Sequence, residues 1–137
     1  MASLIYNSCV DDMSRSNIDF DTNTFKAMLV TSYTPNKDTH DKRDDVTNEV
    51  SGTGYTAGGV ASAVTVTKDT ANDKVTIQFG AVSWASSTIT ARGCVYYKSR
   101  GGASSLDELV CYADFGSDVS SSGGTFSVAA STITLQN

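Results

Sequence analysis

From Phe25 onward, apolar side chains recur at every second position in short runs, and each run ends in a cluster of Gly, Ser, Asn, Asp or Thr. A period of two puts alternate residues on opposite faces of an extended chain, and breaks roughly every 8–12 residues leave no length for crossover helices. At 137 residues the chain is one domain. The pattern therefore predicts an all-β fold: an antiparallel β-sandwich or jelly roll of about eight strands, with a short N-terminal helix.

That helix is expected within residues 1–16, capped by Ser3, with Ile5, Cys9 and Met13 on one face beside Tyr6 and Val10, and ended by Ser14, Ser16 and Asn17. In "TFKAMLVTSY" Phe25, Ala27 and Leu29 face one way while Met28 and Val30 make the other face apolar too, so this strand needs a cover on each side, and the helix is expected to supply one. "ASAVTVTKD" and "KVTIQFG" flank the polar turn "TANDK" and read as a hairpin, with Val64 and Val66 on one face and Val75, Ile77 and Phe79 inside. "AVSW" reads as a separate short strand with Val82 and Trp84 in phase. "TITARGCVYYKS" sets Ile89, Ala91, Gly93, Val95 and Tyr97 against Thr90, Arg92, Cys94, Tyr96 and Lys98. "LVCYADFG" puts Leu109, Cys111, Ala113 and Phe115 in phase, and "SDVSSSGG" reads as flexible. In the last run Phe126, Val128 and Ala130 give way to Ile133 and Leu135, a change of parity that predicts a bulge at Ala129–Thr132.

Polarity comes from Thr, Ser, Asn and Gly, because charged residues are only 18% of the chain. The net charge of −5 and a pI near 4.6 argue against a nucleic-acid partner, and an acidic surface offers nothing to anionic lipid. The start "MASLIYNSCVDD" has neither a basic leader nor an unbroken apolar core, so no signal peptide is expected, and no apolar run suits a transmembrane helix. Cys9, Cys94 and Cys111 are odd in number and widely spaced, as expected of buried thiols in a reducing compartment rather than a disulfide frame or zinc site.

No motif in the chain carries catalysis convincingly. "GTGYTAGG" fits the dinucleotide pattern G-x-G-x-x-G/A, but no buried strand feeds it, no helical stripe follows it, and the Lys-Ser/Thr of a phosphate loop is missing. Its glycines are read as a corner with positive φ and close backbone passage, with Tyr55 packed over it. "DFG" at Asp114–Gly116 lacks every companion motif of a kinase. His40, the sole histidine, lies among Asp38, Asp41, Asp44 and Asp45, without the spacing of a calcium loop or the elbow of a serine nucleophile. Asp107–Glu108 and Asp11–Asp12 are sequence neighbours and do not by themselves make a glycosidase pair. No enzyme activity, metal or other cofactor is expected.

The polar stretch from Tyr33 to Glu49 is longer than an ordinary connection and is read as a contact arm with one helical turn near His40–Val46. Tyr33, Pro35, His40 and Arg43 on this loop are candidate protein-contact residues. Arg92, Tyr96 and Lys98, placed by alternation on an outer strand face, join them, since Tyr and Arg are enriched where proteins meet.

The long N-terminal stretch through "SYTPNKDTHDKRDDVTNEVSGTGYTAGG", together with "VSW", "ITARGCVYYKS" and "YADFGSD", resembles small virion structural proteins of tailed bacteriophages, most like head decoration, or cementing, proteins. Relatives of this pattern often carry Trp-Pro where this chain has Trp84-Ala85, which implies a looser turn here. The resemblance implies a jelly-roll protein on the capsid exterior, made in the bacterial host cytoplasm, that clamps subunits of the major capsid protein. Symmetry adds a self-association, a homodimer ahead of a homotrimer. A tail or head-fibre component, and a carbohydrate-binding module using Trp84, Tyr96 and Tyr97, are the alternatives.

Overall fold

A computed structural model describes residues 3–137. Along the chain run β1 (Leu4–Ile5), α1 (Asn7–Ser14), β2 (Phe25–Val30), β3 (Val60–Ala61), β4 (Val64–Asp69), β5 (Lys74–Phe79), β6 (Val82–Lys98), β7 (Leu109–Val128) and β8 (Ser131–Gln136), with 3-10 turns at Arg43–Asp45 and Ser104–Leu106. The strands form a sandwich of two antiparallel sheets, a five-stranded one in the order β1-β7-β6-β2-β3 and a three-stranded one in the order β4-β5-β8. The all-β sandwich is the one the alternation predicts, and so is the β4–β5 hairpin.

The two sheets are largely one bent ribbon. Phe79 pairs with Ser131 and Val82 with Val128, three residues further along each strand, so the register continues unbroken from β5/β8 into β6/β7. The chain turns the corner at residues 80–81 on one side and 129–130 on the other. The parity change near Ala129 is therefore a change of sheet, and not the bulge the alternation suggested. Ser62 fixes the corner: its N–H donates to the Phe25 carbonyl at 3.0 Å and its hydroxyl to the Gly80 carbonyl at 3.1 Å.

Other expectations fail for a related reason. "AVSW" and "TITARGCVYYKS" form one 17-residue strand, and "SDVSSSGG" lies within the 20-residue β7. Irregularities reset the phase along this ribbon. Ser86 (φ 49°) sits at the first, Gly123 (φ 64°) at the second and Gly116 (φ 81°) at the third, and at the fourth Val110 is the extra residue opposite Tyr96–Tyr97. Leu109 and Cys111 consequently face opposite sides. Likewise Ala91 and Cys94 share the inner face, so Tyr96 points into the sandwich and Tyr97 out of it.

Tyr96 is fully buried, 4.6 Å from the Phe79 ring, beside the Phe20–Phe25–Phe79 cluster. Burying an aromatic ring removes roughly 150–250 Å² from water, about 4–6 kcal/mol before entropy, against about 1 kcal/mol for the hydroxyl's bond to Ser131. Burial decides which way the ring faces.

The helix starts later than expected. Leu4–Ile5 first pair with β7, and the Tyr6 N–H donates to the Val110 carbonyl, so Tyr6 rather than Ser3 precedes the first helical turn. Ser3 instead accepts the Asp114 N–H at 2.9 Å. Of the expected stripe, Cys9 is buried and Met13 partly so, whereas Ile5 and Val10 are exposed and Asp12 is buried. The first two residues of the expected 1–16 helix or arm lie outside the described residues.

Both faces of β2 are buried. Phe25, Ala27 and Leu29 enter the inter-sheet core, and Met28 and Val30 enter a second cluster with Tyr6, Tyr33, Val95, Tyr97, Leu109 and Tyr112. Of α1's neighbourhood it is Tyr6, just ahead of the helix, that joins this second cluster, while Cys9 joins the first. Close passage of the segment before β3 is possible only because Gly59, at φ 78°, has no Cβ, which would overlap the Ala27 carbonyl oxygen. Gly59→Ala is expected to cost about 3–5 kcal/mol, strain plus overlap, whereas Gly101→Ala, at φ 79° with open space around it, costs about 1–2 kcal/mol. Urea unfolding of the two variants checks the difference.

Candidate functional site

The stretch read as a contact arm is a strap across the outer face of the five-stranded sheet. Its two ends are tied by Thr31 N–H to the Asn48 carbonyl at 2.9 Å and Val50 N–H to the Leu29 carbonyl at 2.9 Å. Its middle is bonded to the N-terminal segment through Asn7 N–H to the Lys37 carbonyl (3.0 Å) and Asn7 Nδ2 to Asp38 (2.6 Å). It meets the β6–β7 connection through a Lys42–Glu108 bridge, through Arg43 N–H to the Asp107 carbonyl (2.9 Å), and through Leu109 N–H to the Asp41 carbonyl (3.1 Å). The helical turn expected near His40–Val46 is the 3-10 turn Arg43–Asp45, where the Asp45 carboxylate accepts the Asp41 and Lys42 N–H groups.

A charged cluster sits where strap and connection meet. Asp107 and Glu108 are 1% and 3% exposed, an arrangement that needs compensation. Asp107 accepts from Arg43 Nε at 2.8 Å and from the Arg100 N–H at 2.8 Å, and Glu108 pairs with Arg100, whose Nε lies 2.6 Å away. The Arg43 guanidinium also stacks 5.1 Å over the Tyr97 ring. Removing either arginine would strand a buried carboxylate.

His40 belongs to a relay of hydroxyls. Asn36 N–H donates to its Nδ1 at 3.2 Å, so Nδ1 is an acceptor, and the Tyr33 hydroxyl at 2.7 Å donates to it as well. The Tyr6 hydroxyl follows, 3.0 Å from that of Tyr33. Tyr33 stacks on the imidazole at 5.7 Å. The Ser8 hydroxyl donates to the His40 main-chain carbonyl and not to the ring. Among the described residues no group of three or more His, Cys, Asp or Glu side chains converges to hold a metal ion.

The glycine stretch is a corner, with Gly54, Gly58 and Gly59 at positive φ and the two-residue β3 after it in place of a helix. Glu49 organises it, accepting from the Tyr55 hydroxyl and the Gly58 N–H, both at 2.7 Å, while Tyr55 accepts the Leu29 N–H at 3.0 Å and packs 5.8 Å from Trp84. Tyr97 donates to the Gly58 carbonyl. The inward-facing donors of this turn are thus occupied by the protein's own groups, which leaves no phosphate cradle.

The candidate contact residues are mostly committed internally. Tyr33 and Pro35 are buried, His40 and Arg43 are held as described, and Arg92 pairs with Asp114 at 3.1 Å. Lys98 donates to the Asn17 carbonyl at 2.5 Å, and Tyr96 is in the core. Trp84, Tyr96 and Tyr97 are 4%, 0% and 1% exposed, so none presents a ring face for a sugar. Among the described residues the surface offers sheet edges at β7 and β8 that are paired on one side only, with the half-exposed Val119 and Leu135, which alternation did not mark as exposed. Among the described residues no helix is long and apolar enough to cross a membrane. No known protein family, characterised protein or solved structure matches the chain.

Burial pushes the Cys9 and Cys94 thiols up to about 12 and Cys111 well above its ordinary value. The reactive thiolate is thereby suppressed at pH 8. Native protein is expected to leave all three cysteines unmodified by a thiol-titrating disulfide reagent, and unfolded protein to release three equivalents.

Partial burial raises the Asp45 carboxyl, but the Asp41 and Lys42 N–H bonds outweigh it and hold the group below its usual 3.8. Asp19 and Asp69 are lowered too, by the Asp21 N–H and the Asn72 side chain respectively. A depressed folded-state pKa contributes stability that is present above the unfolded value and lost as pH falls through the folded one. Thermal stability should therefore start to fall below about pH 4. Asp45→Ala should cost about 1 kcal/mol at pH 7 and make that acid decline shallower, as read by melting curves across pH.

Proposed function

We propose that this chain is a capsid decoration protein, a non-catalytic component that binds the outer surface of the major capsid protein shell of a tailed bacteriophage and stabilises the head. One observation carries the reading. The outer stretch of the β6/β7 ribbon, residues 116–125, is exposed almost throughout and, among the described residues, is paired along one side only. Hydroxyl pairs Thr90–Ser120 and Ser87–Ser121, both 2.8 Å, hold it as a strand, and Val119 stands 42% exposed on it. Such an edge offers main-chain donors and acceptors to an extended segment of a partner.

The resemblance to phage head proteins supplies the partner's identity. The chemistry beside the strap agrees with a structural role, since Arg43, Arg100, the buried Asp107 and Glu108, and His40 are used to fasten the strap and the connection it meets. A net charge of −5 keeps copies soluble before assembly. Binding only the assembled shell stabilises it by mass action, and the many equivalent sites of a particle multiply the effect.

Heads stripped of the protein should rebind it in hundreds of copies and regain heat resistance. Val119→Lys should weaken that binding about tenfold, or about 1.4 kcal/mol, at unchanged melting temperature. Copy numbers in the tens would move the chain to the tail, and heads that bind none would end the proposal.

A further inference from the structure

We infer that β8 is a self-pairing edge, through which two copies join their three-stranded sheets about a two-fold axis into one continuous six-stranded sheet. The free edges of this fold are not equivalent. β1 and β3 have two residues each, β4 ends in Lys68–Asp69, and β7 is broken by positive-φ glycines. Shortness and charge blunt an edge against any partner, and the phase shifts of β7 bar residue-for-residue pairing with an identical copy. β8, Ser131–Gln136, has none of them: "STITLQ" holds no charge, no Pro and no Gly, and pairs with β5 without irregularity.

The register follows from one hydrogen bond. Asn137 N–H donates to the Asp73 carbonyl at 2.9 Å, so odd-numbered main-chain groups of this strand point toward β5. Even-numbered groups, those of Thr132, Thr134 and Gln136, therefore point outward, where among the described residues no strand pairs with them. Antiparallel pairing of two copies joins outward groups to outward groups. Centring the axis on Thr134 uses the most of them: Thr134 opposite Thr134 and Thr132 opposite Gln136 on each side, roughly six hydrogen bonds.

The same register settles the side chains. Ile133 lies opposite Leu135 of the other copy on the inner face, in the close, non-hydrogen-bonded type of pair. That covers Leu135, 41% exposed in the single chain. A groove of about 480 Å³ runs beside β8, lined by Leu4, Ile5, Ala113 and Ile133 among others, and receives the partner's apolar side chains. Charge is compatible: the β4–β5 turn with Lys68, Asp69, Asp73 and Lys74 ends up beside the other copy's uncharged Ser131–Phe79 end, so no like charges meet across the axis. The edge is about 20 Å long and buries roughly 300–400 Å² per copy, half of a standard interface, so the dimer is weak in dilute solution and favoured where copies are crowded.

Self-pairing is tested with the whole chain in solution without a capsid, so it stands apart from the decoration reading, and shell binding enters only to identify another occupant of the edge. Thr134→Cys should form a disulfide-linked dimer under mild oxidation, because a hydrogen-bonded pair holds its Cα atoms about 5.5 Å apart. Thr67→Cys, on the opposite edge of the same sheet, should link at least tenfold more slowly. In sedimentation at several hundred micromolar, Thr134→Pro, which removes an outward N–H and leaves the β5 ladder intact, should lower association at least tenfold at unchanged melting temperature. Thr134→Lys, which sets two lysines face to face, should do the same if the proline variant unfolds. Equal linking of the two cysteine variants, or a wild-type monomer at 1 mM, would overturn the inference. So would a wild-type monomer whose shell binding is lost in Thr134→Pro or Thr134→Lys, which would give the edge to the shell protein.

Discussion

The hydrogen-bond ladder that runs from Lys74–Gln136 through the corner to Val82–Val128 is what the remainder of the molecule is assembled around. Because it keeps its register while changing sheets, inward residues on the two sides of the corner meet across the sandwich. Phe79 and Ile77 come to lie against Phe25 and Tyr96. The corner costs a stretch without ladder bonds, and Gly80 and Ser62 offset it, one by lacking a side chain and the other by donating both to β2 and to the corner's Gly80 carbonyl. A larger side chain at Gly80 would press on the Ala63 carbonyl.

Folding the ribbon onto one face of the large sheet leaves the second face uncovered, and Met28, Val30, Val95 and Tyr97 make that face too apolar for water. The strap answers this need. Its sequence is polar because its outer side is solvated, yet it sets Tyr33 and Pro35 inward and threads Arg43 between Asp107 and the Tyr97 ring. Pairs this buried contribute little net stability against an apolar alternative, but breaking one is costly, so they fix where the strap lies more than how firmly. The hydroxyl relay from Tyr6 to His40 does the same at the other end.

The sandwich, the β4–β5 hairpin and the double burial of β2 were readable because each rests on uninterrupted alternation. Legibility stopped at the bulges. A residue in the left-handed region, such as Ser86 or Gly116, shifts every following side chain to the other face, and nothing in the local pattern distinguishes such a glycine from one in a turn. Tyr96 changes face because β6 shifts phase between Ala91 and Cys94 with no left-handed residue to mark it, and the glycines of β7 read as a flexible loop. The path of the strap over the sheet was not legible for a different reason: apolar content is low, and the few residues that anchor it, Tyr33, Pro35 and Arg43, find their partners as far away as Asp107 in sequence. Only the glycine corner was legible in full, because its flanks excluded a helix before any geometry was known.

β7 and β8 are one strand in ladder terms, with their free edge on the same side of the ribbon, yet the corner places the two halves in different sheets. Their sequences differ accordingly. The β7 half is rich in Ser and Gly and carries its phase shifts, so it can adapt to a partner whose strand need not match it residue for residue. The β8 half is regular and β-branched, which pins one register and suits an identical partner. Because the corner turns the two edges apart, occupying one does not consume the other. On the proposed pairing, a copy joined through β8 would still present residues 116–125, and two copies joined edge to edge would offer a common partner surface two attachment edges in fixed relation, which would raise avidity without any new contact.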